Sequence, residues 1–153
     1  MEITANLIEA HIFKKYNNDI EFLLLKRSDK EIYPGLWQMV TGSIDGREKA
    51  SQAALREIRE ETGLTPIQFW AVPNINSFYS AETDEICVIP VFAGLVESDA
   101  KIIISEEHTE YRWVTKDEAK TMLAWPGQRN SVEIIADYFK NENTYLNFIK
   151  ISV

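Results

Sequence analysis

The chain has 153 residues, 45% of them hydrophobic and 11% aromatic, enough for a sizeable core in a single domain spanning 1–153. A formal net charge of −8 argues against nucleic-acid polymers as partners, because such a chain repels phosphate backbones. The lone Cys87 excludes an internal disulfide, no apolar run is long enough to span a membrane, and the Met-Glu-Ile-Thr-Ala start lacks the basic and apolar stretches of a signal peptide, so a cytoplasmic protein is expected.

Residues 3–13 read as a strand and 14–19 as a polar turn. Residues 20–26 read as a second strand, whose Phe-Leu-Leu-Leu centre calls for burial on both faces. His11 reads as a structural residue within the first strand. A loop over 28–35 leads to a short strand at 37–40 and then to a helix. Gly63 suits the position just past that helix, and Pro66 blocks its continuation. Further strands are expected over 67–72, 75–79, 85–96 and 110–114, with Cys87 as a buried small hydrophobe. Thr115 suits an N-cap, with Glu118 completing a capping box. A last helix is expected over 128–140. The tail, 144–153, is rich in β-branched and aromatic residues and is expected to form a strand, docked on its own domain or on a second subunit. There is no internal repeat or linker, and the order is that of a mixed α/β fold.

The helix ending at Gly63 carries Arg56, Glu57, Glu60 and Glu61. At about 100° per residue, the three glutamates share one face. They crowd the C-terminal turn, where the macrodipole is already negative, and Glu57 with Glu61 is a like-charge i,i+4 pair. A helix shaped only for stability would carry Lys or Arg there. Divalent cations would relieve both penalties, and a local rule broken without local compensation marks a functional site. Ala50, Ala53 and Ala54 lie on the glutamate side one or two turns earlier, where small side chains would let the preceding loop approach. Leu55 and Ile58 form a separate apolar face for packing on a sheet. A solvated Glu-rich face is the ordinary alternative.

The wider spacing favours the functional reading. Gly42, then Glu48, then Arg56-Glu57-Ile58, Glu60-Glu61 and Gly63-Leu64 resembles the Nudix hydrolase box at every defined position. A chance match has a probability on the order of 10⁻⁷ at ordinary residue frequencies. The resemblance implies a Nudix-type α/β/α sandwich with a mixed central sheet. It implies that Glu57, Glu60 and Glu61 hold Mg²⁺ or Mn²⁺, that Arg56 orients them and pairs with Glu48, that Gly42 opens the loop beside the substrate phosphates, and that Gly63 is structural. The implied reaction is hydrolysis of a nucleoside diphosphate linked to another moiety. Mg²⁺ fits such a site, since it takes oxygen ligands and keeps several waters.

Residues 37–43, 52–57 and Glu107-His108 before Tyr111-Arg112-Trp113 resemble the dihydroneopterin triphosphate pyrophosphohydrolase subgroup, which also cleaves dATP and related nucleoside triphosphates. That likeness implies Glu107 as a further metal ligand, ahead of Glu106, in what reads as an acidic loop, with His108 a loop polar residue rather than a base. A nucleoside or pterin triphosphate is then the expected small-molecule partner, releasing pyrophosphate and a monophosphate. Flat heterocycles need aromatic platforms, for which Trp37, Phe78, Tyr79 and Trp125 are candidates, and Arg27 could touch phosphates. Family likeness raises a homodimer as an option. Three alternatives compete. A diadenosine-polyphosphate hydrolase shares the second-strand style but usually enters the box differently. An isopentenyl-diphosphate isomerase needs a cysteine after the tryptophan, and none occurs before Cys87. A non-catalytic nucleotide sensor typically loses box glutamates, which are intact here.

Overall fold

The computed structural model describes residues 1–140 and 148–153. Nine strands of the described residues form one mixed sheet: β1 (Glu2–Thr4), β2 (Leu7–Tyr16), β3 (Asp19–Arg27), β4 (Trp37–Gln38), β5 (Val40–Ser43), β6 (Gln68–Ser80), β7 (Glu85–Leu95), β8 (His108–Val114) and β9 (Ile149–Ile151). The helices are α1 (Ala50–Thr62), α2 (Lys116–Met122) and α3 (Pro126–Lys140). α1 covers one face of the sheet, while α2 and α3 cover the other, giving the expected α/β/α sandwich. No helix of the described residues is long and apolar enough to cross a membrane.

The alternation of β3 builds both cores at once. Phe22 and Leu24 enter the core under α2 and α3, and Leu23 and Leu25 enter the core under α1. All four are buried, and full burial of such a side chain contributes about 1.5–3 kcal/mol. Ile58 of α1 is wholly buried against the sheet, as its apolar face predicts. Ala53 and Ala54 are buried in the same core, so they serve packing rather than only lining the glutamate side.

β2 and β3 pair only between Phe13–Tyr16 and Asp19–Phe22, and then diverge. Residues 37–43 fill the fork. Gln38 pairs with Leu25 of β3, and Val40 to Ser43 pair with Ala10 to Leu7 of β2. This wedge carries Gln38 and Gly42 towards the α1 side of the sheet, and so decides where the site forms.

Several boundaries differ from expectation. The first strand is two: Thr4 faces Cys87 but Glu9 faces Val91, so the break at residues 5–6 absorbs one extra residue. The polar turn shrinks to Asn17 and Asn18, at φ 46° and 62°, a two-residue hairpin geometry that Asn tolerates. The two strands expected over 67–79 are one, β6, with its register shifting between Ala71 and Ile75 around Pro73, which has no N–H for a ladder bond. β8 begins at His108, which places that residue in the sheet opposite Arg27 and buries it; it is not a loop polar residue. α3 starts two residues before the expected Gln128. Thr115 caps α2 with Glu118 as expected.

The tail docks on its own sheet. β9 pairs antiparallel with β6, Ile151 facing Phe69 and Ile149 facing Ala71. Residues 144–147 of the expected strand lie outside the described residues. Phe148 is buried, its ring stacked on Tyr138 at 4.0 Å between centroids. Phe148→Ala should therefore destabilise the fold by about 3 kcal/mol, the usual cost of removing a buried aromatic ring. Urea unfolding reads this, and a loss under about 1 kcal/mol would show that the tail is not anchored through this ring.

Candidate active site

Arg56 is the hub of the site. Its Nε and Nη2 fork onto Glu48, donating to Oε2 and Oε1, each at 2.9 Å. Nη2 also donates to the Ser43 carbonyl at 2.8 Å and lies 3.3 Å from Asp45. Nη1 donates to Glu57 at 2.9 Å and to Glu60 at 3.2 Å. One side chain thus ties the loop after β5 to the last turns of α1. Hydrogen bonding to Arg56 pulls the Glu48 carboxyl down to about 2, and Glu48 in turn raises the guanidinium, so both stay charged.

Gly42 faces Glu57 across this gap. A Cβ at residue 42 would fall inside the Glu57 side chain, so only glycine lets β5 pass so close to that carboxylate.

Glu61 turns inward. It is 2% exposed, and neither of its carboxylate oxygens has a hydrogen-bond partner among the described residues. Burial, then the charges of Glu107 and Glu57, push its pKa up to about 10. The loop after β7 is fastened over this end of α1, where helix carbonyls lack intrahelical partners. Ile103 N–H donates to the Thr62 carbonyl at 2.9 Å, and Ser105 N–H to that of Glu61 at 3.3 Å. That clasp brings Glu107 and His108 beside Glu61. Ligand atoms of these three residues lie within 4.8 Å of one another. The Glu107 carboxyl is raised by burial and by the Glu31 and Glu57 charges, and Glu106 is exposed.

His108 is buried, with Nδ1 3.8 Å from Glu61 and Nε2 3.0 Å from the Gln38 amide nitrogen. Burial, and then the Arg27 charge, lower its pKa to about 4, so the ring is neutral at pH 7. Arg27 donates to Gln38 Oε1 at 3.2 Å and to the Ile32 carbonyl at 2.6 Å, and lies 3.5 Å from Glu31. His11, by contrast, sits on the α3 side against the Phe22 ring, far down the acid scale at about 3 through burial alone.

The aromatic candidates are dispersed. Trp37 carries the Arg112 guanidinium over its ring at 4.8 Å. Trp125 is half-exposed in an edge-on pair with exposed Tyr33, at 5.8 Å. Tyr79 lies at the β6–β7 hairpin with its hydroxyl on Asp84, and Phe78 beside it is half-exposed. The convergence of Arg27, Gln38 and His108 on Glu61 is absent from the sequence reading, for they lie far apart in the chain. The one available signal was that Gln38 and His108 both fall in segments that carry the subgroup resemblance.

The donor set suits a hard divalent ion. A buried carboxylate whose two oxygens lack partners among the described residues, with Glu107 and Glu57 beside it, is stable only with a cation or a proton to satisfy it. This acidic and histidine cluster sits at the end of α1 within the α/β/α sandwich. The NUDIX domain profile matches residues 6–138, and the chain belongs to the Nudix family. The chain is 31% identical over 109 residues to the nucleoside triphosphatase NudI of Salmonella paratyphi B, covering 66% of this chain and 77% of that protein. A Nudix hydrolase of Listeria monocytogenes superposes with a TM-score of 0.78 at 24% identity, over 90% of this chain and 96% of that one. The Escherichia coli dihydroneopterin triphosphate pyrophosphohydrolase superposes with a TM-score of 0.73 at 23% identity, over 85% and 93%, a likeness of fold. The chain is thus a Nudix hydrolase, of a class that generally uses divalent metals and acts on small nucleotide substrates.

Two outcomes follow from the geometry. Gly42→Ala should displace Glu57 and lower kcat at least tenfold while the circular dichroism spectrum is retained; unchanged kcat would refute the close approach. The raised pKa of Glu61 has a pH signature. Between about 4.5 and about 10 the unfolded chain loses a proton that the folded, metal-free chain keeps, so folding weakens as pH rises. A cation that needs the ionised carboxylate expels that proton and binds more tightly at higher pH. The rise in Tm on adding Mg²⁺ should therefore be larger at pH 8.5 than at pH 6.5, and equal rises would contradict a buried protonated Glu61.

Proposed function

We propose that this chain is a divalent-metal-dependent pyrophosphohydrolase of nucleoside triphosphate-like substrates, with dihydroneopterin triphosphate, dATP and related nucleoside triphosphates as the class. The observation that carries the reading is the buried Glu61 carboxylate, unpartnered among the described residues at the end of the Nudix helix and set beside Glu57 and Glu107. Relatives named as nucleoside triphosphatases support the substrate class. The whole chain is taken as one domain, since β9 lies beyond the matched span yet completes the sheet beside β6.

Glu57, Glu60, Glu61 and Glu107 would hold Mg²⁺ or Mn²⁺. The ion, when bound, neutralises the polyphosphate and lowers the pKa of an attacking water. Arg56 holds Glu57 and Glu60 at fixed positions, which matters because phosphoryl chemistry draws on positioning and electrostatics above all. Gly42 leaves the strand free of a side chain beside Glu57, where substrate phosphates can approach. Arg27, at the end of β3 and close enough to influence both Glu61 and Glu107, adds positive charge at the phosphate end. Trp125 offers an exposed face for the heterocycle. Trp37 backs Arg112, and Tyr79 lies on the β6–β7 hairpin with its hydroxyl on Asp84.

A panel of nucleoside and pterin triphosphates, with diadenosine polyphosphates included and products identified by mass, tests this reading. Pyrophosphate and a monophosphate should appear with Mg²⁺ and vanish with EDTA. Turnover that survives full chelation, or no turnover of any member, would overturn it, the latter in favour of a nucleotide sensor. Glu57→Gln and Glu60→Gln should each lower kcat by about 10² or more with the fold retained. Glu107→Gln should impair kcat more than Glu106→Gln; equal mild effects would remove Glu107 from the metal site.

A further inference from the structure

Three ligand-type residues converge at the end of α1, and the histidine among them differs from the two carboxylates in what its surroundings allow. Arg27 can only donate hydrogen bonds, and its Nη1 donates to Gln38 Oε1 at 3.2 Å. That bond fixes which end of the Gln38 amide is which, a choice that otherwise rests on the network as a whole. The NH₂ end then faces His108 Nε2 at 3.0 Å. An amide NH₂ also only donates, so Nε2 must be the bare, accepting nitrogen of the ring. A neutral imidazole has one N–H, which is left on Nδ1. Nδ1 is buried without another partner among the described residues and lies 3.8 Å from Glu61 Oε1, itself without a partner. The gap is about 0.6 Å beyond the ordinary hydrogen-bond range.

We propose that His108 is a positioning residue and not a metal ligand: the chain Arg27 to Gln38 to His108 holds the ring as its Nδ1–H tautomer and aims that donor at the Glu61 carboxylate. The proposal rests on the reading of Glu61 as a metal ligand. A ligating imidazole needs a lone pair on the nitrogen that faces the ion and normally donates from the other. Here the arrangement is the reverse, with the proton on the site side and the acceptor turned away. Reversing the Gln38 amide would set its NH₂ against the guanidinium and lose the Arg27 bond. The elements make the chain rigid, because Gln38 lies on the wedge strand β4 beside β3, and His108 faces Arg27 across the β3–β8 ladder. His108 thus orients one Glu61 oxygen and leaves the other for the ion.

The test uses the full chain with ¹⁵N-labelled histidine. Long-range ¹H–¹⁵N correlation spectra at pH 7, with the His11 signals told apart by the spectrum of His108→Gln, should show His108 Nε2 unprotonated and Nδ1 protonated, before and after Mg²⁺ is added. A protonated Nε2, or loss of the Nδ1 proton on adding Mg²⁺, would overturn the proposal. Mn²⁺ affinity measured by calorimetry gives a second readout. His108→Ala should weaken Mn²⁺ binding about 10- to 100-fold, the usual effect of losing a residue that orients a ligand. His108→Asn, whose amide can place an N–H near Nδ1, should restore affinity to within about threefold of the parent. Unchanged affinity in the alanine variant, or no rescue by asparagine, would count against the proposal. Should the alanine variant fail to fold, Gln38→Glu decides: a carboxylate accepts from Nε2–H, so the spectrum should switch tautomer and Mn²⁺ affinity should fall. An unswitched tautomer or parental affinity would overturn the idea. None of these readouts needs turnover, so a chain with this tautomer and Mn²⁺ affinity that hydrolyses no triphosphate would refute the proposed function alone.

Discussion

The forked contact of Arg56 with Glu48 is the interaction on which the geometry of the site depends. A guanidinium presents its donors in a rigid plane, so a bidentate pair fixes direction as well as distance. Once Glu48 occupies Nε and one side of Nη2, the remaining donors can only point to the Ser43 carbonyl and to Glu57 and Glu60. The loop between β5 and α1 is short, and without this clamp its entropy would work against the close passage of Gly42 over Glu57. The cluster carries more carboxylates than cations. Arg56 offsets the repulsion on the solvent side of α1, where Glu60 is largely exposed. It makes no contact with Glu61 on the inner side.

Glu61 meets the opposite constraint. Among the described residues no cation bonds its carboxylate; Arg27 influences it but is itself spent on Gln38, Glu31 and the Ile32 carbonyl. Leaving a buried charge unpaired is among the costliest arrangements a fold can hold. The metal-free chain answers by keeping a proton on the group. The α1 C-terminal turn, with its own dipole against negative charge, makes this worse and not better. A residue chosen for stability alone would not be acidic here, and an ion arriving from solution would supply the missing partner.

Those local penalties were legible in the sequence, because they concern residues three and four apart on one helix whose end is marked by Gly63. Gly63 indeed takes φ 72° and its N–H bonds the Arg59 carbonyl at 2.9 Å. The two-faced burial of β3 was legible for the same reason: four successive large apolar residues leave no polar side. What stayed hidden involves long-range register. Gln38 reaches His108 across seventy positions only because β2 and β3 diverge, and nothing local in either strand announces that fork. His108 looked like part of an acidic loop since two exposed glutamates precede it; the β8 ladder, extended by two residues, is what buries it. The Asn17-Asn18 turn was misjudged in length because Lys14 and Lys15 are polar, although edge positions of a hairpin tolerate them.

A second buried carboxylate shows how the structural and functional cases part. Glu9 of β2 is 5% exposed on the face beneath α3, and burial raises its pKa as it does that of Glu61. Its surroundings are different in kind. Asn76 donates an amide N–H to it at 2.6 Å, and Gln128 at the start of α3 adds a second amide contact. Asn74 donates to both Asn76 and Ser131, and Ser131 donates to the Gly127 carbonyl. Gly127 has no Cβ where one would press within 2.7 Å of Asn76 Oδ1. Neutral amides thus enclose Glu9 and stitch β2, β6 and α3 together, and no carboxylate among the described residues acts on it. A buried acid with that many donors is a fastening, since hydrogen bonds from neutral groups compensate its desolvation. Glu61 is as deeply buried, with no hydrogen-bond donor among the described residues and with Glu107 and Glu57 as acidic neighbours. Burial and a raised pKa are common to both, so neither property tells them apart; the unpartnered acceptor positions of Glu61 do.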